Sequence, residues 1–338
     1  PADSVVGRWV QLAVLAVTGF PVATYLAGIF DQHAIGSPEI YGLLFLIDIV
    51  LIVPIYFLVH DEIDRLLAVC ALTMVVLCVD LLTGAHLQLN TVFGYSPIVA
   101  GRFAGLGNIA FAVLGVVSLL VGALVSHRWP RSRRAIIAAA AIFIVAVIFD
   151  GAPQLGSDVG GVLALVPSFA LTILLLVGGR VNWKYVLLGI LAGILAVGAF
   201  LAVDLARPPD QRTHLARLYE DVRERGFGVL IDTIERKAAA NVRLFKKSLW
   251  TYFVPPALIA IALLMRRPRG RWVRIVKTYP QVRAGLIGGL VLAGLGFAVN
   301  DSGIVIPAVV LSFLVPLAVI VHLLLDGRPG DEAGEGVA

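Results

Sequence analysis

Long unbroken apolar runs, each followed by a short polar break, recur along the whole chain, and strict apolar/polar alternation is absent. A helix that crosses a hydrocarbon core of roughly 30 Å needs about 20 predominantly apolar residues. Ten segments reach or approach that length: 9–30, 39–59, 65–85, 103–126, 134–150, 160–178, 183–205, 248–265, 282–299 and 303–325. Closed β-barrels also satisfy the backbone in lipid, but they are built from short alternating strands. The runs here are continuous and rich in Leu, Ala, Val and Gly. The pattern therefore predicts an all-α integral membrane protein, a bundle of about ten transmembrane helices.

One stretch, 206–247, has a different period. Leu215, Leu218 and Val222, then Leu230, Ile234, Ala238, Val242, Phe245 and Leu249 after Gly226, recur at helical spacing between Arg, Asp, Glu and Lys. This predicts one or two amphipathic helices lying on the membrane surface. The organisation expected is helices one to seven over 1–205, the amphipathic segment over 206–247, and helices eight to ten over 248–325. A disordered tail rich in Gly, Glu and Asp is expected over 326–338.

Composition agrees with lipid as the solvent. Of the 338 residues, 59% are hydrophobic and 14% charged, and the mean hydropathy is +0.94. A soluble domain carries about 25% charged residues. Cys70 and Cys78 both sit inside an apolar run and read as small core residues. Pro1 in place of methionine implies a processed or shortened start.

The net charge of +5 is concentrated in short loops. Arg128, Arg131, Arg133 and Arg134, then Arg180 and Lys184, then the dense Arg/Lys set of 266–283 fall on one side if each run crosses once. The positive-inside rule makes that side cytoplasmic. Both termini of a multi-pass protein of the bacterial cytoplasmic membrane are then cytoplasmic, and the 206–247 segment is extracytoplasmic. The loops account for the basic excess, so nucleic-acid binding has no support. Neither a phosphate-cradling Gly-Lys-Ser/Thr loop nor a His-Glu-x-x-His pair occurs, which removes P-loop ATPases and zincin proteases. No metal-ligand cysteine spacing is present, and the sequence leaves any cofactor open.

The polar residues that lipid makes costly are the informative ones, because a charge near the bilayer centre costs about 2.5–3.5 kcal/mol on insertion scales. Asp48 lies mid-span in the second run, where it suits proton coupling. Three connections on the non-basic side mix glycine with isolated polar groups. The first carries Asp80, His86, Gln88, Tyr95, Arg102 and Asn108; the second carries Gln154 and Asp158; the third carries Asn300 and Asp301. Together they form the candidate substrate-binding set of an outward-facing polar cavity. Taken singly, Asp158 and Asn300/Asp301 are also ordinary N-cap candidates. Arg102, between Gly101 and Gly105, suits bidentate capture of a phosphate or carboxylate. Arg212, His214, Arg217 and Lys237 on the amphipathic segment extend a phosphate-binding rim, and equally suit anionic headgroups.

The segments Asp80–Gly84 through Gly94–Pro97, Gly101–Asn108, Gly156–Gly161, Arg212–Arg217, Arg236-Lys237 with Asn241, and Asn300–Gly303 together resemble a family of bacterial polytopic membrane proteins. The chain is similar to the membrane portion of proteins that also carry an extracytoplasmic alkaline-phosphatase-type domain. The resemblance implies such a domain or protein as a partner, beside membrane lipids. No segment here offers that domain's Asp/His metal cluster. No reaction attaches to the family, so the resemblance bears on site residues more than on function.

The leading functional expectation is binding and translocation of an anionic, phosphate-bearing or lipid-linked cell-envelope precursor. One alternative is a membrane-embedded transferase or hydrolase at the outer face, with Asp80 or Asp158 as base or metal ligand, His86 or His214 as acid/base, and Arg102 on the phosphate. Another is a membrane scaffold that anchors an extracytoplasmic enzyme.

Overall fold

The computed structural model describes residues 4–30, 37–89, 91–95 and 105–326. The described chain is all helical, with one isolated bridge between Leu89 and Tyr95 and no strand. Seven long helices come first: α1 (Val5–Ala27), α2 (Ser37–Leu58), α3 (Glu62–Leu82), α4 (Asn108–Arg128), α5 (Arg133–Gly151), α6 (Val159–Leu176) and α7 (Trp183–Leu205). After a 3-10 turn at Pro209–Gln211 come α8 (His214–Arg225), α9 (Gly228–Lys247), α10 (Trp250–Arg266), α11 (Arg271–Thr278), α12 (Pro280–Val299) and α13 (Val305–Asp326). Among the described residues nine helices, α1 to α7 with α12 and α13, are long and apolar enough to cross a membrane. The protein is a multi-pass membrane bundle.

Contacts between chain ends sort the helices into two layers. At one end the Arg128 guanidinium pairs with Asp64 at 2.9 Å, and the rings of His127 and Tyr279 lie 5.4 Å apart. At the other, Leu106 N–H donates to Gly156 O at 2.9 Å, and Arg207 Nη1 donates to Pro153 O at 3.2 Å. The first is called the basic end and the second the polar end. Since α7 finishes at the polar end and α12 starts at the basic end, the chain between them must cross. The crossing falls to α10, whose 17 residues span about 26 Å. It departs from α9 at an angle of 99°, so α9 runs across the polar end.

Local chemistry explains where the helices start. Four of those beginning at the basic end are capped by a side chain that accepts a first-turn N–H: Ser4 for α1, Asp61 for α3, Ser132 for α5 and Asn182 for α7. By contrast α4 and α6, which begin at the polar end, have no side-chain capping bond.

The core sits around α4, with 89% of its most apolar stretch buried among α3, α5, α6, α12 and α13. In lipid there is no hydrophobic drive between helices, so close backbone approach and packing hold the bundle. Glycine supplies that approach on α12, where a Cβ on Gly285 would stand 3.3 Å from that of Ala123. At the periphery α2 packs chiefly on α1 and α3, and α7 mainly on α6. Their outward faces, with Phe45, Ile49, Val53 and Phe57 on α2, are exposed. Hydrocarbon is the environment such a face requires.

Candidate functional site

Three consecutive residues at the start of α4 each tie down a different connection. Leu106 N–H reaches Gly156 O in the α5–α6 turn. Gly107 N–H donates to Gln88 Oε1 in the α3–α4 connection at 3.1 Å. The Asn108 side-chain amide donates to Asp301 Oδ1 at 2.5 Å and to Ser302 Oγ at 2.8 Å in the α12–α13 turn. The polar end is therefore one assembly around the first turn of the central helix.

Asp80 organises the first of these connections. Its carboxylate, 1% exposed, accepts Leu87 N–H at 2.7 Å and Gln88 Nε2 at 3.0 Å, and its carbonyl accepts Ala85 N–H at 2.7 Å. Gln88 is fully buried; its carbonyl accepts Tyr95 N–H at 3.0 Å. Gly84 and Ala85 take positive φ values of 105° and 59° to make the reversal, and His86 is left exposed on the surface. The Tyr95 ring lies over Gly107, where a Cβ would meet Tyr95 Cδ1 at 2.6 Å.

The α5–α6 turn holds two buried carboxylates. Asp158 is 7% exposed and occupies the N-cap position of α6 without a side-chain capping bond. Asp150, fully buried in the last turn of α5, presses its carboxylate against Gly161, where a Cβ would collide with it. Both acids thus lie at the positive end of the α6 dipole, which favours negative charge there. Gln154 is exposed on the same turn.

In the third connection Asn300 accepts Asp301 N–H through Oδ1 at 2.9 Å, so it closes a turn after α12. Asn241, the buried residue of α9, donates to Phe297 O at 2.8 Å and Asn300 O at 2.6 Å, capping the last turn of α12. Asn241 Oδ1 and Asn300 Nδ2 remain buried with no hydrogen-bond partner among the described residues. Of the amphipathic segment Asn241 thus joins this assembly, while His214 and Arg217 lie exposed on α8. Asp48 lies elsewhere, midway along α2, in a buried stripe with Leu44 and Ile52 that faces α1. It is 5% exposed, a Cβ on Gly19 would sit 2.7 Å from its Oδ1, and that oxygen has no hydrogen-bond partner among the described residues. Arg102 and the 326–338 tail beyond Asp326 lie outside the described residues.

Asp204 is a structural acid that the sequence patterning passes over. It is fully buried at the end of α7 and accepts Thr213 N–H, Thr213 Oγ1 at 2.6 Å and Ala216 N–H at 3.1 Å. Arg207 faces it at 3.5 Å, and Arg212 pairs with Glu220. Asp204 could have been suspected only as a polar residue on an otherwise apolar helical face. Among the described residues no three of His, Cys, Asp and Glu are grouped to hold a metal ion. Two recesses flank α6 and both are apolar: one of about 290 Å³ against α5, where Phe143 and Phe169 stack at 4.4 Å, and one of about 170 Å³ against α7.

No protein-family model, no curated protein and no solved structure matches this chain.

Proposed function

We propose that this multi-pass protein binds an anionic, phosphate-bearing or lipid-linked envelope precursor at its polar end and translocates it. The observation that carries the reading is the start of α4: an uncapped helix terminus on which three glycine-rich polar connections converge. First-turn N–H groups and the positive end of the dipole suit a phosphate, as they do in transporters with helix ends at their binding sites. The equivalent end of α6 carries Asp150 and Asp158, and at the start of α4 the Asp301 carboxylate is held by the Asn108 side chain. Buried Asn241 Oδ1 and Asn300 Nδ2 offer an acceptor and a donor beside it. In this reading Arg102, five positions before Gly107 in sequence, supplies the guanidinium, and His214 and Arg217 on α8 form the rim.

Translocation is preferred over surface chemistry because of Asp48. A carboxyl midway along a spanning helix, with an unbonded oxygen, is a cost the bundle bears for a purpose, and proton coupling is one that fits. The basic end then faces the cytoplasm, and α9 lies in the opposite membrane surface. Its exposed Phe227, Ile231, Ile234 and Val242 would enter the headgroup–acyl boundary.

Native mass spectrometry of protein extracted in mild detergent tests the proposal. A specific phosphorylated lipid should co-purify and be lost in Arg102→Ala and Asn108→Ala. Bulk phospholipid only, unchanged by either substitution, would overturn it in favour of a scaffold.

A further inference from the structure

The larger recess beside α6 lies between α5 and α6 and measures about 290 Å³. Every side chain that lines it is Ala, Val, Ile or Phe. Its floor is formed by Phe143 and Phe169, both buried, whose rings stack with 4.4 Å between centroids and 9° between planes. Ile144, Ile148 and Ala170 line it as well and are exposed, so they form the rim. Along α5 the lining runs from Ala140 to Ile148, about 12 Å at the rise of a helix. The recess is therefore an open slot within the crossing part of two spanning helices.

Two observations identify the occupant. First, the slot is continuous with the lipid-facing surface of α5, where Ile137, Ile144 and Ile148 are all exposed. A recess lined this way excludes water, and hydrocarbon is what surrounds it. A chain entering it gains no hydrophobic energy over the bilayer, but it gains dispersion contact with the ring floor. Second, the slot adjoins the assembly at the polar end. Ile148 immediately precedes Phe149, whose carbonyl accepts Gly156 N–H at 2.8 Å, and Gly156 O in turn accepts Leu106 N–H at 2.9 Å. Two hydrogen bonds thus link the residue next to the rim with the first turn of α4.

We infer that the α5–α6 recess holds the hydrocarbon chain of the substrate whose phosphate sits at the start of α4. The inference rests on the functional reading above and narrows it: the substrate is a lipid phosphate, and a water-soluble anion is not enough. The headgroup is held by the polar end, and the chain runs down α5 over the stacked rings.

The experiment uses the full chain in mild detergent with hexadecyl phosphate and butyl phosphate, which share a headgroup and differ in chain. Native mass spectrometry reads retention of the first, and phosphorus NMR reads binding of the second. Ala140→Phe and Ala170→Phe each place a ring in the recess, Ile137→Phe adds one on the exposed face of α5 outside it, and thermal unfolding checks each fold. Either filling variant should lower retention of hexadecyl phosphate about tenfold and leave butyl phosphate binding unchanged. Ile137→Phe should change neither, whereas Asn108→Ala should weaken both. Undiminished retention in the filling variants would overturn the recess and leave the headgroup reading standing. Wild-type protein that binds neither phosphate would overturn that reading, and this inference with it. An equal loss of retained phosphatidylcholine would make the recess a general lipid contact and overturn its assignment to substrate. A dimer mass that disappears on filling would overturn it in favour of an interface between copies.

Discussion

The side-chain amide of Asn108 donates to the carboxylate of Asp301 at 2.5 Å, across 193 positions of chain. This bond closes the α12–α13 turn onto the first residue of the central helix. Charge-assisted hydrogen bonds contribute about 1.5–3 kcal/mol when buried, and less where, as here, the acid is exposed. Asn108→Ala and Asp301→Ala should each lower stability by about 1 kcal/mol. The double variant should lose clearly less than the sum, as read by unfolding in detergent. Strict additivity would mean that the contact contributes nothing.

Asp48 should be a stability liability. Replacing it by the isosteric Asn keeps its packing against Gly19 and Ile52 and removes an ionisable group from membrane depth. Asp48→Asn is expected to raise stability by about 1 kcal/mol and to stop coupled translocation while leaving lipid co-purification intact. A variant that is both less stable and fully active would remove Asp48 from the mechanism.

Two glycines make a controlled contrast. A Cβ on Gly156 would collide with the backbone carbonyls of Asp150 and Phe149, whereas a Cβ on Gly42 meets nothing within 4 Å. Gly156→Ala should cost about 1–3 kcal/mol because backbone cannot move aside as a side chain can. Gly42→Ala, on the open face of α2, should stabilise by about 0.5–1 kcal/mol through helix propensity. Urea or thermal titration of both variants in one detergent reads the difference directly.

Asp204 caps α8 from the end of α7. Asp204→Ala removes the acceptor of Thr213 N–H, Thr213 Oγ1 and Ala216 N–H and leaves Arg207 without its acid. Hydrogen exchange should rise sharply over residues 213–217, with protection in α4 unchanged. Uniformly faster exchange across the bundle would show that Asp204 supports the fold globally.

The same residues show what was readable in the sequence. Runs of about twenty apolar residues dictate crossing helices whatever their neighbours are, because lipid leaves the backbone no other way to bond. Asp48 was legible as a mid-span acid, but its position at the centre of the Leu44–Asp48–Ile52 stripe facing Gly19 depends on which helix α2 meets. Asp80 and Gln88 were visible as polar neighbours of a turn. That Gln88, held by Asp80, accepts Gly107 N–H follows only from the placement of α4. Asp204 was invisible as an organiser, since a single polar residue near a helix end carries no pattern, and Asn241 entered only through the resemblance, with no sign of the helix end it caps. The crossing by α10, with only 17 residues, was legible as a span because composition marks it, although its right-angle departure from α9 was not.

The sequence by itself determined the solvent, the class of fold, the spans and the segregation of arginine from glycine-rich connections, because each follows from local hydropathy and charge along one dimension. Tertiary structure alone decided that α4 is the buried axis and that residues 106–108 join three connections. In lipid, partner choice rests on side-chain packing and a few directional bonds between helices of nearly equal hydrophobicity, and hydropathy carries no information about which helix those bonds will find.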